Sequence, residues 1–311
     1  KYQTPKAVAE AVDSFWWEFN AFTWDTYAWY YVKSAPEFAW KWIDVLWDMI
    51  MDAQFPQEEM EREKWVVIQE IKMYDDEPMA LVGDKWQEYF YWNNSYGWTT
   101  LWPVENIKNF TRQDLLDHKS NLYTKDNLIV IIAWKILDKK SIEDQITTIF
   151  AELPEKRKIQ KPEFKWNLPI SHEEKFVKWT AQNHLIIAAK WFDGNDDKRY
   201  SAWLLTTILW WNMSSRLFQN IREKEWLCYY ISASHHASPH DWVFSIRAWL
   251  EKDRFDYWIG KIMWELKKIS TWDITKEEFE KAIWFNIWQY QMWIESSGEM
   301  AIFAWKQYLL Y

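Results

Sequence analysis

The sequence predicts an α+β chain built of two similar halves. Three observations lead there. Amphipathic helical runs alternate with strand-like runs along all 311 residues. Two phrases recur across the halves. A helix, a Trp-Trp pair and a polar segment appear at 5–20 and again at 198–216, and Pro56-Gln57-Glu58-Glu59-Met60-Glu61 is echoed by Thr275-Lys276-Glu277-Glu278-Phe279-Glu280. The third observation is where Trp stands. There are 29 Trp and only 5 Gly, although every fold needs glycine for positive-φ turns and helix ends.

The first half opens on a helix with Thr4 as N-cap and Pro5 as its first residue, and with Ala7, Val8, Ala11, Val12 and Phe15 as its apolar stripe. A hairpin over 18–33 follows, closed by a two-residue turn at Trp24-Asp25. A second helix runs from about Pro36 to Asp52, with Phe38, Ala39, Trp42, Leu46, Met49 and Ile50 on one face. A third runs from about Gln57 to Tyr74 and must end before Pro78. A loop-rich stretch near 92–104, a short helix near 111–121, a buried strand Asn127–Ile136 and a helix Lys140–Glu152 complete this half.

The Pro- and Lys-rich stretch Leu153–Pro169 reads as a linker, so the expected domains are 1–155 and 170–311, joined by 156–169. The second half then holds a strand-like run Glu173–Ala189, a helix Lys198–Leu209, a break at Trp210-Trp211 and a helix to Glu225. After these come a hairpin over 227–250 and helices near 253–269 and 275–294. No apolar run of 18 residues is present, so no membrane span is expected. The chain starts and stops inside structured segments and reads as a piece of a longer protein.

The net charge is −9, from 37 basic and 46 acidic residues, which argues against a nucleic-acid binder. The single Cys228 rules out an internal disulfide framework. The Trp positions follow turn logic rather than helix or strand periodicity. Trp24-Asp25 and Asp241-Trp242 stand at strand turns, Trp226 and Trp272-Asp273 at helix ends, and Trp16-Trp17 and Trp210-Trp211 at helix breaks. Most of these codons are therefore expected to be UGA, translated here as Trp and decoded as Gly by the organism. Trp86 and Trp98 are the best candidates for genuine Trp.

Glu63 and Glu70 lie seven apart on the third helix, nearly two turns, which puts both carboxylates on one face. A solvated acidic face is the ordinary reading of such a helix. A metal ligand with an outer partner is the functional one. The stretch Glu63-Lys64-Trp65-Val66-Val67-Ile68-Gln69-Glu70-Ile71, read with Gly at 65, resembles the insulinase/pitrilysin family of zinc metallopeptidases, in its bacterial and mitochondrial processing-peptidase branch. Trp16-Trp17-Glu18-Phe19-Asn20-Ala21-Phe22-Thr23, with Gly at 16 and 17, is similar to the family's Gly-Gly-x-x-Asn-Ala-x-Thr strand. Trp210-Trp211-Asn212-Met213-Ser214-Ser215-Arg216-Leu217, then Arg222 and Tyr229, resemble its C-terminal signatures, and Ile294-Glu295-Ser296 a later element.

The resemblance implies two homologous domains in a clamshell, each a largely antiparallel sheet packed on helices, the LuxS-like metallohydrolase fold. It implies a Zn²⁺-dependent endopeptidase acting on peptides or unfolded segments, with Glu70 as metal ligand and Glu63 one layer out. Asn20 and Ala21 would offer a strand edge to the peptide. Arg222 and Tyr229 would meet the substrate carbonyl and tetrahedral intermediate. The family's His-x-x-Glu-His motif is found around none of the six His, 118, 172, 184, 235, 236 and 240. By the family's spacing it is expected just upstream of Lys1. His235-His236 and His240 are expected in a hairpin loop. A homodimer or a paired family subunit is the partner implied, and the alternative reading is a non-catalytic partner subunit.

Overall fold

The computed structural model describes residues 4–13, 18–24, 26–92, 94–133, 135–156, 173–180, 182–192, 196–224, 228–237 and 242–310. The chain divides into two units, one formed by 1–73 with 93–165, the other by 74–92 with 166–311.

In the first unit, α1 (Pro5–Asp13) starts where its cap requires, with Ala7 N donating to Thr4 Oγ1 at 3.1 Å. Strands β1 (Glu18–Thr23) and β2 (Ala28–Lys33) form the expected antiparallel hairpin. Its turn differs from expectation. Thr23 pairs with Ala28, so the loop has four residues, 24–27, closed by Trp24 N donating to Tyr27 O at 2.8 Å. Helix α2 (Ala39–Met51) follows a 3₁₀ turn at Pro36–Phe38 and buries Trp42 and Val45. Helix α3 (Gln57–Asp76) buries only Met60. Helices α5 (Val104–Asn109) and α6 (Arg112–Leu122) come next in this unit, α6 opened by a Thr111/Asp114 capping box. Helix α7 (Lys139–Ala151) begins at Asp138, whose side chain accepts from Ser141 N.

The expected strand Asn127–Ile136 is not formed. Its described residues make no ladder, and Ile129 and Val130 are exposed. An apolar run becomes a strand only against a neighbouring edge, and no described strand reaches it. The expected linker lies almost wholly at 157–172, outside the described residues, as do Phe15, the Trp16-Trp17 break, Trp226 and Asp241.

The second unit holds α4 (Pro78–Tyr91), a helix not expected from the sequence. Helix α3 ends at Asp76, before Pro78, as expected. Pro78 also opens a new helix as an early residue, with Glu77 as N-cap accepting from Met79 N at 3.3 Å. Strands β3 (Asn183–Phe192), β4 (Cys228–Ala237) and β5 (Trp242–Leu250) form one antiparallel sheet in the order β3-β5-β4. The expected strand therefore begins ten residues late, and Val177 and Trp179 before it are exposed. His235 and His236 lie in β4 rather than in a loop.

Alternation along the strands gives the sheet two different faces. One carries Ile231, Ala233, Phe244, Ile246, Ala248 and Leu250, all buried, against Leu209 of α8 (Arg199–Leu209) and Trp258 and Ile262 of α9 (Phe255–Ser270). This is the core of the unit. The other face meets α4. Helices α10 (Lys276–Trp293), with a Thr275/Glu278 capping box, and α11 (Ser297–Leu310) complete the chain. Among the described residues no helix is long and apolar enough to cross a membrane.

The backbone bears on the Trp question at two places. Trp272 has φ 59°, the left-handed region. Its N–H donates to Ile269 O at 3.0 Å and the Asp273 N–H to Lys268 O at 3.1 Å, the two bonds of a Schellman helix end with Trp at the glycine position. Trp92, ending α4, has φ 47° and ψ −128°, a region open in practice to glycine alone. Trp210 ends α8 at φ −141°, which any residue adopts. Trp65 stands in the middle of α3, so turn logic does not reach it.

Candidate active site

The two carboxylates are placed by the regularity of α3. Glu63 and Glu70 project from the same side of that helix, about 10 Å apart along its axis, and both are exposed. The cations of the same segment are engaged elsewhere. Arg62 pairs with Glu58 and Glu59, and Lys64 with Glu61 and the Lys108 carbonyl. Glu63 and Glu70 thus carry no ion pair among the described residues, although they share a helix with three bases, Arg62, Lys64 and Lys72.

Among the described residues no three His, Cys, Asp or Glu side chains come together as a metal-holding group. His118 lies on α6, His184 on β3, and His235 and His236 on β4, while His172 and His240 fall outside the described residues. The described side chains therefore do not make a zinc site by themselves. They supply one helical carboxylate, with a second behind it.

Strand β1 forms one edge of a two-stranded sheet. Its residues Asn20 and Ala21 are exposed, and Ala21 N donates to Asn20 Oδ1 at 2.8 Å. The amide that an incoming strand would use is held by the neighbouring side chain. Pairing with a peptide at this point requires that side chain to swing away.

Arg222 and Tyr229 both sit on irregular backbone. Arg222 belongs to a π-helical stretch, Phe218–Glu223, and its guanidinium lies 4.9 Å over the Phe218 ring. Tyr229 falls at a break in the β4 register, between Cys228, opposite Leu250, and Tyr230, opposite Trp249. Its side chain is outside the described residues. Burial pushes the neighbouring Cys228 thiol up to about 11, with the Arg222 charge pulling the other way.

Arg216 stands in the Trp210–Leu217 segment. Its Nε and Nη2 donate to the two carboxylate oxygens of Glu278 at 2.7 and 2.8 Å, and Nη2 also reaches the Asp273 carbonyl. This fork ties the chain just before the π-helical stretch to the start of α10. The guanidinium holds the Glu278 carboxyl at about 2. The Thr275-x-x-Glu278 spacing, legible as a capping box, was the signal that Glu278 is fixed in place.

Comparison with known proteins gives a consistent result. The family model described as Insulinase (Peptidase family M16) matches residues 1–104, and that described as Peptidase M16 inactive domain matches residues 109–285. The chain is 30% identical over 285 residues to the uncharacterized zinc protease YmxG of Bacillus subtilis, covering 90% of this chain and 68% of that protein. It is 28% identical to an uncharacterized zinc protease of Rickettsia bellii, covering 91% and 68%. It is also similar, at 24% identity over 151 residues, to a mitochondrial-processing peptidase subunit beta of Arabidopsis thaliana, covering 49% and 28%. The chain thus spans about two thirds of the length of these bacterial relatives. A protease structure from Helicobacter pylori superposes with a TM-score of 0.86 at 18% identity, covering 99% of this chain and 76% of that one, which establishes the fold. On the family match across both halves and the likeness to the Bacillus protein, the chain belongs to the insulinase family of peptidases, M16.

Proposed function

We propose that this chain is the greater part of a zinc-dependent endopeptidase that cleaves peptides or unfolded polypeptide segments. The observation that carries the reading is the Glu63/Glu70 pair, aligned on one side of α3 and free of the ion pairs that engage Arg62 and Lys64. Glu70 would give one carboxylate to a metal whose His ligands lie outside this sequence, and Glu63 would hold the geometry one layer out. An extended peptide would add to β1 at Asn20 and Ala21, with Asn20 released from its bond to Ala21 N. Arg222 and Tyr229 would donate to the substrate carbonyl oxygen as negative charge develops there. The expected domains, 1–155 and 170–311 in a clamshell, go with this reading, as does a homodimer or a paired family subunit.

The test uses the full-length protein. Glu70→Gln should abolish zinc retention and peptide cleavage together, and Glu63→Gln should weaken both. Full activity in Glu70→Gln refutes the ligand assignment. If the residues encoded upstream of Lys1 lack His-x-x-Glu-His, the non-catalytic partner subunit is the better reading.

The same reading includes the codons. Most Trp here would be decoded as Gly in the native organism, and Trp92 and Trp272, on backbone that suits glycine, support it. Intact mass of the native protein decides, since each Gly in place of Trp removes one indole side chain.

A further inference from the structure

Among the described residues, the α4-covered face of the β3-β5-β4 sheet carries a cation, Arg247, that no carboxylate pairs. Register places Arg247 of β5 between Ile186 of β3 and Ser232 of β4. One pair along, His184 of β3 is opposite Trp249, and on the other side Ser245 is opposite Ser234, their hydroxyls 3.0 Å apart. Facing residues of paired strands share a side of the sheet, so Arg247, Ser232 and His184 are neighbours on one surface.

From above, α4 lies beside the guanidinium. The Trp86 ring lies 5.9 Å from it, and a Cβ at Gly83 would stand 3.8 Å from Nη1. The Arg247 Nε is buried with no acceptor, and no described carboxylate pairs with this side chain. The His184 Nδ1 is likewise buried without a partner. Burial holds that imidazole below its usual range, with the Glu77 charge pulling it up. Leaving such donors unmet is costly, and a guanidinium fork is matched by a carboxylate's two oxygens.

We propose that Arg247, with Ser232 and His184 beside it, binds a peptide carboxylate, the free C-terminus of a substrate or product chain. This rests on the reading of the protein as a peptidase, which supplies the peptide. Trp86 and α4 border the fork. Arg247 is then a specificity residue for peptides with a free C-terminus.

The experiment reads binding rather than cleavage, on the full-length protein. Fluorescence anisotropy would compare three labelled peptides of one sequence, with a free C-terminus, with an amide, and with an amide plus a Glu near the end. The free acid should bind about 10- to 100-fold tighter than the amide, the range of a charge-assisted pair. Arg247→Met should erase that preference. Arg247→Lys keeps the charge and the packed stem but not the fork, and should lose most of it. If the Glu-bearing amide binds as tightly as the acid, a side-chain carboxylate is the ligand. Equal binding of all three peptides, or a preference that survives in Arg247→Met, overturns the proposal. A full-length protein that shows the preference and cleaves nothing refutes the peptidase reading and leaves the carboxylate site standing.

Discussion

Replacing Trp272 by Gly and by Ala separates backbone strain from side-chain loss. The indole is 81% exposed, so either substitution gives up the same small packing contribution, about 1 kcal/mol. The two differ in what φ 59° costs them. A residue with a Cβ gives up about 1–2 kcal/mol in the left-handed region, and glycine gives up almost none. Against this, glycine's freer unfolded chain costs about 0.4–1 kcal/mol. Trp272→Gly should therefore be more stable than Trp272→Ala by about 0.5–1 kcal/mol. Trp284 provides the opposite case. It is also well exposed, at 60%, but stands inside α10. There glycine should be worse than alanine by about 1 kcal/mol. Urea unfolding of the four variants measures both differences. The same sign at both positions would refute the argument that Trp272 occupies a glycine site.

Other expectations follow from burial and charge. Glu278 is held well below an ordinary carboxyl, first by Arg216. A depressed folded value means stability that is full above the unfolded value, near 4.5, and lost as pH falls toward about 2. Glu278→Gln should cost about 1–2 kcal/mol at neutral pH after allowance for solvent screening, and should flatten the acid limb of a urea midpoint-against-pH curve; an unchanged limb contradicts this. Ile246→Ala, at a fully buried site between the sheet and α9, should cost about 2–5 kcal/mol by the same unfolding assay. The Cys228 thiol, buried and pushed up to about 11, should react with a disulfide reagent at about pH 8 only on unfolding, and rapid labelling of the native chain would argue against that burial.

Local signals were legible in the sequence and non-local ones were not. Thr4 and Thr275 announce their helices because a cap is settled within three residues. The Glu63/Glu70 alignment is legible for the same reason, since helical periodicity alone sets it. Pro78 was legible as a stop, since α3 ends at Asp76, but not as a start: proline also suits the first turn of a helix, and only the chain's direction after Glu77 decides whether one follows. Asn127–Ile136 has the composition of a strand, but a ladder needs a partner that composition does not name. The Arg247 surface was out of reach for the same cause, since it is assembled from three strands and α4, far apart in sequence.

Arg222 and Tyr229, the two residues proposed to meet the substrate, share a feature that stability alone does not call for. A regular α-turn would serve the packing of Ile221, and an unbroken ladder would serve β4. Instead the chain widens into a π-helical stretch at Arg222 and skips a pairing at Tyr229. Each irregularity weakens local hydrogen bonding and re-aims one side chain, and both kinds gather at functional sites. The stretch is also anchored from outside itself, by the Arg216–Glu278 fork just upstream and by Asn220 Nδ2 donating to the buried Glu265 at 3.1 Å. A wide turn tied upstream at Arg216 and internally at Asn220 steadies Arg222 over Phe218, which a guanidinium needs if, as proposed, it is to meet a developing oxyanion without first reorganising. Straightening the stretch by deleting one residue, with Arg222 retained, should therefore lower kcat in the full-length protein far more than it lowers stability.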